Sequence, residues 1–211
     1  MGHRFLIVVA ILALTCTAFG QTATLTHTST VNSGMTFPSR LAADGGGGIY
    51  VTETPTGSVL QYNAAGTLVG TFAVAEGPAG IGVHPSNGNI YVSRLDGAVG
   101  IYNAAFVEQA LFDPTPFAFV APGDIAVHPT TGDVYVVDGG ANQVFVFDGG
   151  TELLTGMWGL EGQGMGELQT NLAIAIDPAT DYVLVGDTDN FRVQVFDTAG
   201  IFQFKFGYRT A

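Results

Sequence analysis

The chain has 211 residues, with six Lys and Arg against eighteen Asp and Glu and a net charge of −12 at pH 7. Only 11% of residues are charged and 47% are hydrophobic, which excludes a disordered chain. The acidic balance also argues against nucleic acid as a partner, because its phosphates would be repelled.

At the N-terminus, Met1–Arg4 forms a short positive end, Phe5–Leu14 an unbroken apolar run, and Ala18 and Gly20 supply small residues before Gln21. This three-part order predicts a secretory signal peptide over residues 1–20 and a secreted or periplasmic protein. The run is too short to span a bilayer, which needs about 20 apolar residues. A retained interfacial anchor and lipidation of Cys16 are the alternatives, the latter a poor fit to Leu14-Thr15 before it. Without residues 1–20, five cations face eighteen acids, giving −13, and no Cys is left for a disulfide. Residues 21–36 follow as a leader. Within it Thr22–Val31 alternates like an edge strand, though its many Thr also suit a flexible segment.

From residue 37 onward, short Val/Ile/Tyr/Phe segments recur between Gly, Pro, Asn and Asp, and these read as strands and turns. The first unit holds Leu41–Asp44, Ile49–Val51, Val59–Asn63 and Leu68–Phe72. The second holds Ile81–His84, Ile90–Val92, Val99–Asn103 and Gln109–Phe112. Ile125–His128, Val134–Val137, Val144–Asp148 and Leu153–Trp158 form the third. The fourth runs through Ile174–Asp177, Val183–Val185, Val193–Asp197 and Phe202–Phe206. Asn63, Asn103, Asp148 and Asp197 fall in one column, 40, 45 and 49 residues apart. Four short strands per unit at that spacing predict an all-β protein of β-propeller type. Its four blades of four antiparallel strands cover about 37–74, 75–117, 118–160 and 161–207.

These residues resemble the NHL repeat family of β-propellers. Ile174-Ala-Ile-Asp-Pro178 through Asp187, Asn190, Arg192 and Val193–Asp197 follows the family's pattern, and Trp158–Leu168 looks like its Gly-rich connection between repeats. The Asp…Asn-x-Arg triplet is complete only as Asp187, Asn190 and Arg192. The third unit has Asp138, Ala141 and Gln143, and the first has Glu53, Thr56 and Ser58. Members of the family usually close with about six blades. Four units therefore point to an open arc, or a piece of a longer propeller, in preference to a closed four-bladed ring. Self-association or missing blades would complete the circle.

The resemblance also implies possible chemistry. One NHL-like lyase holds zinc with a His that follows the Pro opening the innermost strand, but Ser39, Ala79 and Gly123 occupy those places here. His84 and His128 share a column with Asp44 and Asp177 and are weak metal candidates. Ordinary turn-opening is the plainer reading of that column. The chain shows no EF-hand loop, G-x-S-x-G or phosphate-loop motif, so no cofactor is called for, with calcium and zinc left open. Loops between second and third strands carry the candidate ligand-binding residues Glu53, Arg94, Asp96, Asp138, Asn142, Asp187, Asn190 and Arg192. For Asp187, Asn190 and Arg192, internal pairing is the competing reading. Arg94 and Asp96 depart from the repeat, which favours them as ligand groups. The expected role is a non-enzymatic binding or scaffold module for protein, peptide or glycan, with no membrane span in the mature chain. A metal-assisted lyase, lactonase or esterase-like propeller, or a truncated piece of one, is the alternative.

Overall fold

A computed structural model describes residues 34–207. The expected signal peptide over residues 1–20, Cys16 and the alternating segment Thr22–Val31 lie outside the described residues. Among the described residues there is no α-helix, only a 3-10 turn at Thr54–Thr56. Blade 1 comprises β1 (Arg40–Ala43), β2 (Ile49–Glu53), β3 (Ser58–Tyr62) and β4 (Leu68–Ala73). Blade 2 comprises β5 (Pro78–Val83), β6 (Ile90–Arg94), β7 (Val99–Tyr102) and β8 (Glu108–Leu111). Blade 3 comprises β9 (Pro122–Val127), β10 (Val134–Asp138), β11 (Gln143–Phe147) and β12 (Leu154–Trp158). After a short parallel pair, β13 (Leu160–Glu161) with β14 (Glu167–Leu168), blade 4 runs through β15 (Asn171–Ile176), β16 (Val183–Asp187), β17 (Arg192–Phe196) and β18 (Phe202–Phe206).

Each blade is an antiparallel meander in sequence order. The register repeats: Val134 faces Phe147 and Val183 faces Phe196, as Ile49 faces Tyr62 and Ile90 faces Tyr102. Irregularities repeat too, one between the third and fourth strands of every blade. An extra residue there increases local twist, which suits sheets that must splay outward from an axis. Two features differ from the sequence expectation. The first strands of blades 2 and 3 begin at Pro78 and Pro122, three residues before the apolar triplets. The Gly-rich connection Trp158–Leu168 also contains the parallel pair β13–β14, whose two residues per strand are too few to leave a periodic signal.

Both faces of the inner blades, 2 and 3, are apolar because both are covered. Tyr50 and Val59 of blade 1 pack with Ile81, Val83, Ile90, Val92 and Tyr102 of blade 2. Tyr91, Val99, Ile101 and Phe112 of blade 2 pack with Ile125, Val134, Val136, Phe145 and Phe147 of blade 3. Tyr135, Val137, Val144 and Val146 then meet Ile174, Val183, Val185 and Phe196 of blade 4. The innermost strands adjoin in the order β1, β5, β9, β15, and no comparable contact joins β15 back to β1 among the described residues. Among the described residues the result is an open arc.

Close approach of the inner strands depends on Gly80, where a Cβ would lie 2.2 Å from the Gly123 carbonyl oxygen. That same oxygen accepts a hydrogen bond from the Ser93 hydroxyl. Gly80→Ala therefore forces β5 away from β9 and should cost about 3 kcal/mol. Gly150→Ala, where the added Cβ meets only the Asp148 carboxylate at 3.5 Å, should change stability by less than about 0.5 kcal/mol. Urea denaturation of the two variants checks the contrast.

Candidate functional site

At one end of the strands, two columns of side chains close the turns. Asp44 Oδ1 accepts the N–H groups of Gly46 and Gly48, both at 2.8 Å. Asp177 accepts from Ala179 N–H and the Thr180 hydroxyl, which hold its carboxyl below the usual carboxylate range. His84 Nδ1 takes the N–H groups of Ser86 and Asn87, and His128 Nδ1 takes those of Thr130 and Thr131. An imidazole nitrogen that accepts two N–H groups is unprotonated, so the proton of the neutral ring sits on Nε2. In His128 that nitrogen lies 3.4 Å from Asp181 Oδ1 of blade 4. Both rings are thus committed to their turns, and no group of three or more His, Cys, Asp or Glu converges among the described residues. The column Asn63, Asn103, Asp148 and Asp197 does the same for the turn between third and fourth strands.

At the opposite end, the turn between second and third strands meets the connection from the preceding blade. Glu53, Arg94, Asp138 and Asp187 end the second strands there, in one column, and all four are buried. Glu53 accepts the N–H groups of Thr36 and Phe37. Asp138 accepts four, from Val120, Ala121, Gly140 and Ala141. Asp187 accepts Gln169 N–H at 2.7 Å, Asn190 Nδ2 at 2.9 Å, Arg192 Nε at 2.6 Å and Gln194 Nε2 at 3.0 Å. Arg192 continues to the carbonyls of Gln163, Gly164 and Glu167, while Asn190 reaches that of Gly162. Asn142 Oδ1 accepts Thr170 N–H, and Asp189 accepts the Thr170 hydroxyl. Glu53, Asp138 and Asp187 thus clamp the incoming connection to their own blade, while Asn142 of blade 3 holds the connection that leaves for blade 4.

Blade 2 inverts the pattern. Arg94 replaces the acid and donates to Asp96 at 2.8 Å and to Glu108 at 3.2 Å, and Glu108 also accepts the Tyr102 hydroxyl at 2.7 Å. The hydrogen bond from Arg94 holds the Asp96 carboxyl low, and burial followed by the neighbouring Glu108 pushes Tyr102 up to about 12. The structure thus places all eight sequence candidates at this end of the strands, with their polar atoms in partnerships within the chain.

One residue that the sequence reading passed over stands on the inner wall. Arg40, Gly80, Asp124 and Ala173 share a column on the innermost strands. Because Gly80 carries no side chain, Arg40 Nε comes within 3.8 Å of Asp124 Oδ1. Asp124 Oδ2 also accepts Ile174 N–H from blade 4 at 3.3 Å. Burial pushes the Asp124 carboxyl up, and those two neighbours only partly offset it. The available signal was the second residue after each opening Pro (Arg40, Gly80, Asp124) rather than the first.

No family model and no curated protein matches the chain. Solved structures do. A catalytically inactive virginiamycin B lyase from Staphylococcus aureus with quinupristin superposes with a TM-score of 0.64 at 13% identity, over 82% of this chain and 56% of that one. A nidogen/laminin complex gives 0.68 at 16% identity, over 85% and 67%. Kuenenia stuttgartiensis hydrazine synthase gives 0.66 at 16% identity, over 85% and 51%. The chain thus spans between half and two-thirds of the solved chains it matches. All three are β-propeller proteins, and at this identity the likeness is one of fold.

Two measurements probe this geometry. Asp138→Ala orphans four N–H groups at once and should lower stability by about 3 kcal/mol in chemical denaturation. Asp124 has a folded pKa above the value near 3.9 expected when unfolded, so the native state holds the proton longer. Its contribution to stability is present below that value and is lost as pH rises through the folded pKa. Asp124→Asn should therefore melt higher than the parent at neutral pH, with the gap closing on acidification toward pH 4. A gap that ignores pH contradicts the assignment.

Proposed function

We propose that the chain is a secreted or periplasmic NHL-like propeller module that binds a protein or peptide segment through the end of the arc where connections meet blades. What carries this reading is the contrast on that end between polar and apolar side chains. The carboxylates and guanidinium groups of Glu53, Arg94, Asp96, Asp138, Asp187 and Arg192 are engaged internally. By comparison, Phe37, Leu95, Phe117, Val120, Leu160 and Met165 are all at least half exposed there. Exposed apolar side chains on the loops at one end of the strands favour a protein partner over a small polar ligand. They sit on loops anchored by buried hydrogen bonds, which limits the ordering cost of binding. The nidogen/laminin structure supports the reading as a propeller found in a protein complex, and a glycan is the less favoured ligand because it would need free polar groups.

Panning a displayed peptide library against the folded chain tests this directly. Selected sequences should be rich in apolar residues, and the Leu95→Asp, Met165→Asp double variant should bind them at least about tenfold more weakly, 1.4 kcal/mol. Failure to enrich any sequence, or equal binding to the variant, sinks the proposal.

A further inference from the structure

Of the eighteen Asp and Glu side chains, all of which lie among the described residues, two meet no hydrogen-bond or ion-pair partner there: Glu76 and Glu161. Both are exposed, and both lie in connections between blades, at the end of the strands that carries the candidate site. Each has an exposed apolar side chain beside it. Leu95 stands over the Glu76 loop, since a Cβ added to Gly77 would lie 3.5 Å from Leu95 Cδ1. Glu161 follows Leu160 in β13, and Met165 belongs to the same connection. The turn does not ask for Glu76: its φ is 59°, a left-handed value at which Gly, Asn or Asp is the usual residue. Neighbouring loops at this end also touch one another. A Cβ on Gly97 would lie 3.9 Å from the Val120 carbonyl oxygen, one on Gly140 2.7 Å from Val120 Cγ1, and one on Gly159 2.9 Å from the Asn142 carbonyl oxygen. From Glu76 the surface therefore continues through Leu95 and Val120 to the connection that holds Leu160 and Glu161.

We propose, on the protein- or peptide-binding reading above, that this end of the arc takes a cationic, apolar segment of another protein, with Glu76 and Glu161 as its charge partners. An exposed carboxylate is ordinary on a protein surface. Here, however, the two uncommitted ones fall beside exposed apolar side chains, while the acids of the turns are engaged. Charge complementarity selects the sign of the partner. The described connections and second-to-third-strand turns carry six acids, Glu76, Asp96, Asp113, Glu161, Glu167 and Asp189, and no Lys, Arg or His. The nearby cations Arg94 and Arg192 pair with Asp96 and Asp187 within the chain. A Lys or Arg of the partner suits both chemistries at once. Its alkyl stem can cover Leu95 or Leu160 while its charged head reaches the adjacent carboxylate. An anionic lipid surface, by contrast, would be repelled by these loops.

Fluorescence anisotropy of the full chain with three short peptides, alternating Leu with Lys, Ser or Glu, tests this. The Lys/Leu peptide should bind at least about tenfold more tightly than the Ser/Leu peptide at about 0.05 M salt, and the Glu/Leu peptide should bind most weakly. The preference should shrink at about 0.5 M salt, where the charges are screened. Glu76→Gln with Glu161→Gln should abolish the preference and leave Ser/Leu binding unchanged. Neither carboxylate has a partner to lose, so the fold should persist, which circular dichroism verifies. Ala105→Lys with Ala199→Lys makes the same change in net charge on exposed turns at the opposite end, and should bind all three peptides as the parent does. An equal loss in the two variants overturns the proposal, because the attraction would then belong to the acidic body as a whole. Equal affinity of the parent for the Lys/Leu and Ser/Leu peptides also overturns it. If Leu95→Asp with Met165→Asp weakens both in that case, the peptide-binding reading stands without this partner chemistry. Binding of none of the three peptides overturns both.

Discussion

Every blade in this protein is a thin sheet with two apolar faces, and such a sheet cannot be stable on its own in water. Val134, Val136, Phe145 and Phe147 cover one side of blade 3, while Tyr135, Val137, Val144 and Val146 cover the other. Burying one large aliphatic or aromatic side chain yields about 2 kcal/mol, so each interface supplies more than any hydrogen bond in the structure. Stability is therefore collective and runs from neighbour to neighbour. The same constraint explains the close inner wall: Gly80 and Gly82 leave out side chains that would hold β5 off β9.

Hydrogen bonding then fixes the blades in place. At least twelve of the eighteen Asp and Glu accept a backbone N–H, among them Asp44, Glu53, Asp138, Asp177, Asp187 and Asp197. The strongly acidic composition is thus largely a consequence of repeated turns. A carboxylate is short, accepts two or more N–H groups at once and suits a turn that must close within a few residues. The negative charge accordingly says more about how the chain folds than about what it attracts.

Much of this architecture was legible because it repeats. The column Asn63, Asn103, Asp148 and Asp197 marked the same turn four times, and the Val/Ile/Tyr segments located the second and third strands of each blade. Strand starts were less legible: Pro78 and Pro122 carry no apolar signal, and a β-bulge between Val136 and Asp138 breaks the alternation just there. The candidate site was legible in position and not in role. Asp187, Asn190 and Arg192 can be placed at a turn from sequence alone. The donation by Asn190 and Arg192 to the carbonyls of Gly162, Gln163, Gly164 and Glu167, and the acceptance of Gln169 N–H by Asp187, depend on how the preceding connection folds back, and no local pattern encodes that. Asp124 was hidden for a related reason, since its neighbours Arg40 and Ile174 lie 84 and 50 residues away.

Departures from the repeat carry more functional information than the repeat itself. A carboxylate at the end of a second strand secures the incoming connection, and three blades retain one. In blade 2 the position holds Arg94, which turns instead toward Asp96, Glu108 and the Tyr102 hydroxyl. The connection into blade 2 then loses a side-chain acceptor, and a backbone hydrogen bond from Leu95 N–H to Gly77 O secures it. Leu95 follows Arg94 directly, and its side chain is 64% exposed. The inversion that removes the clamp thus coincides with an apolar side chain turned outward. Folding alone would favour the opposite arrangement, with the acid kept and a polar residue at the tip. Both changes suit the protein-binding role proposed for this end of the arc.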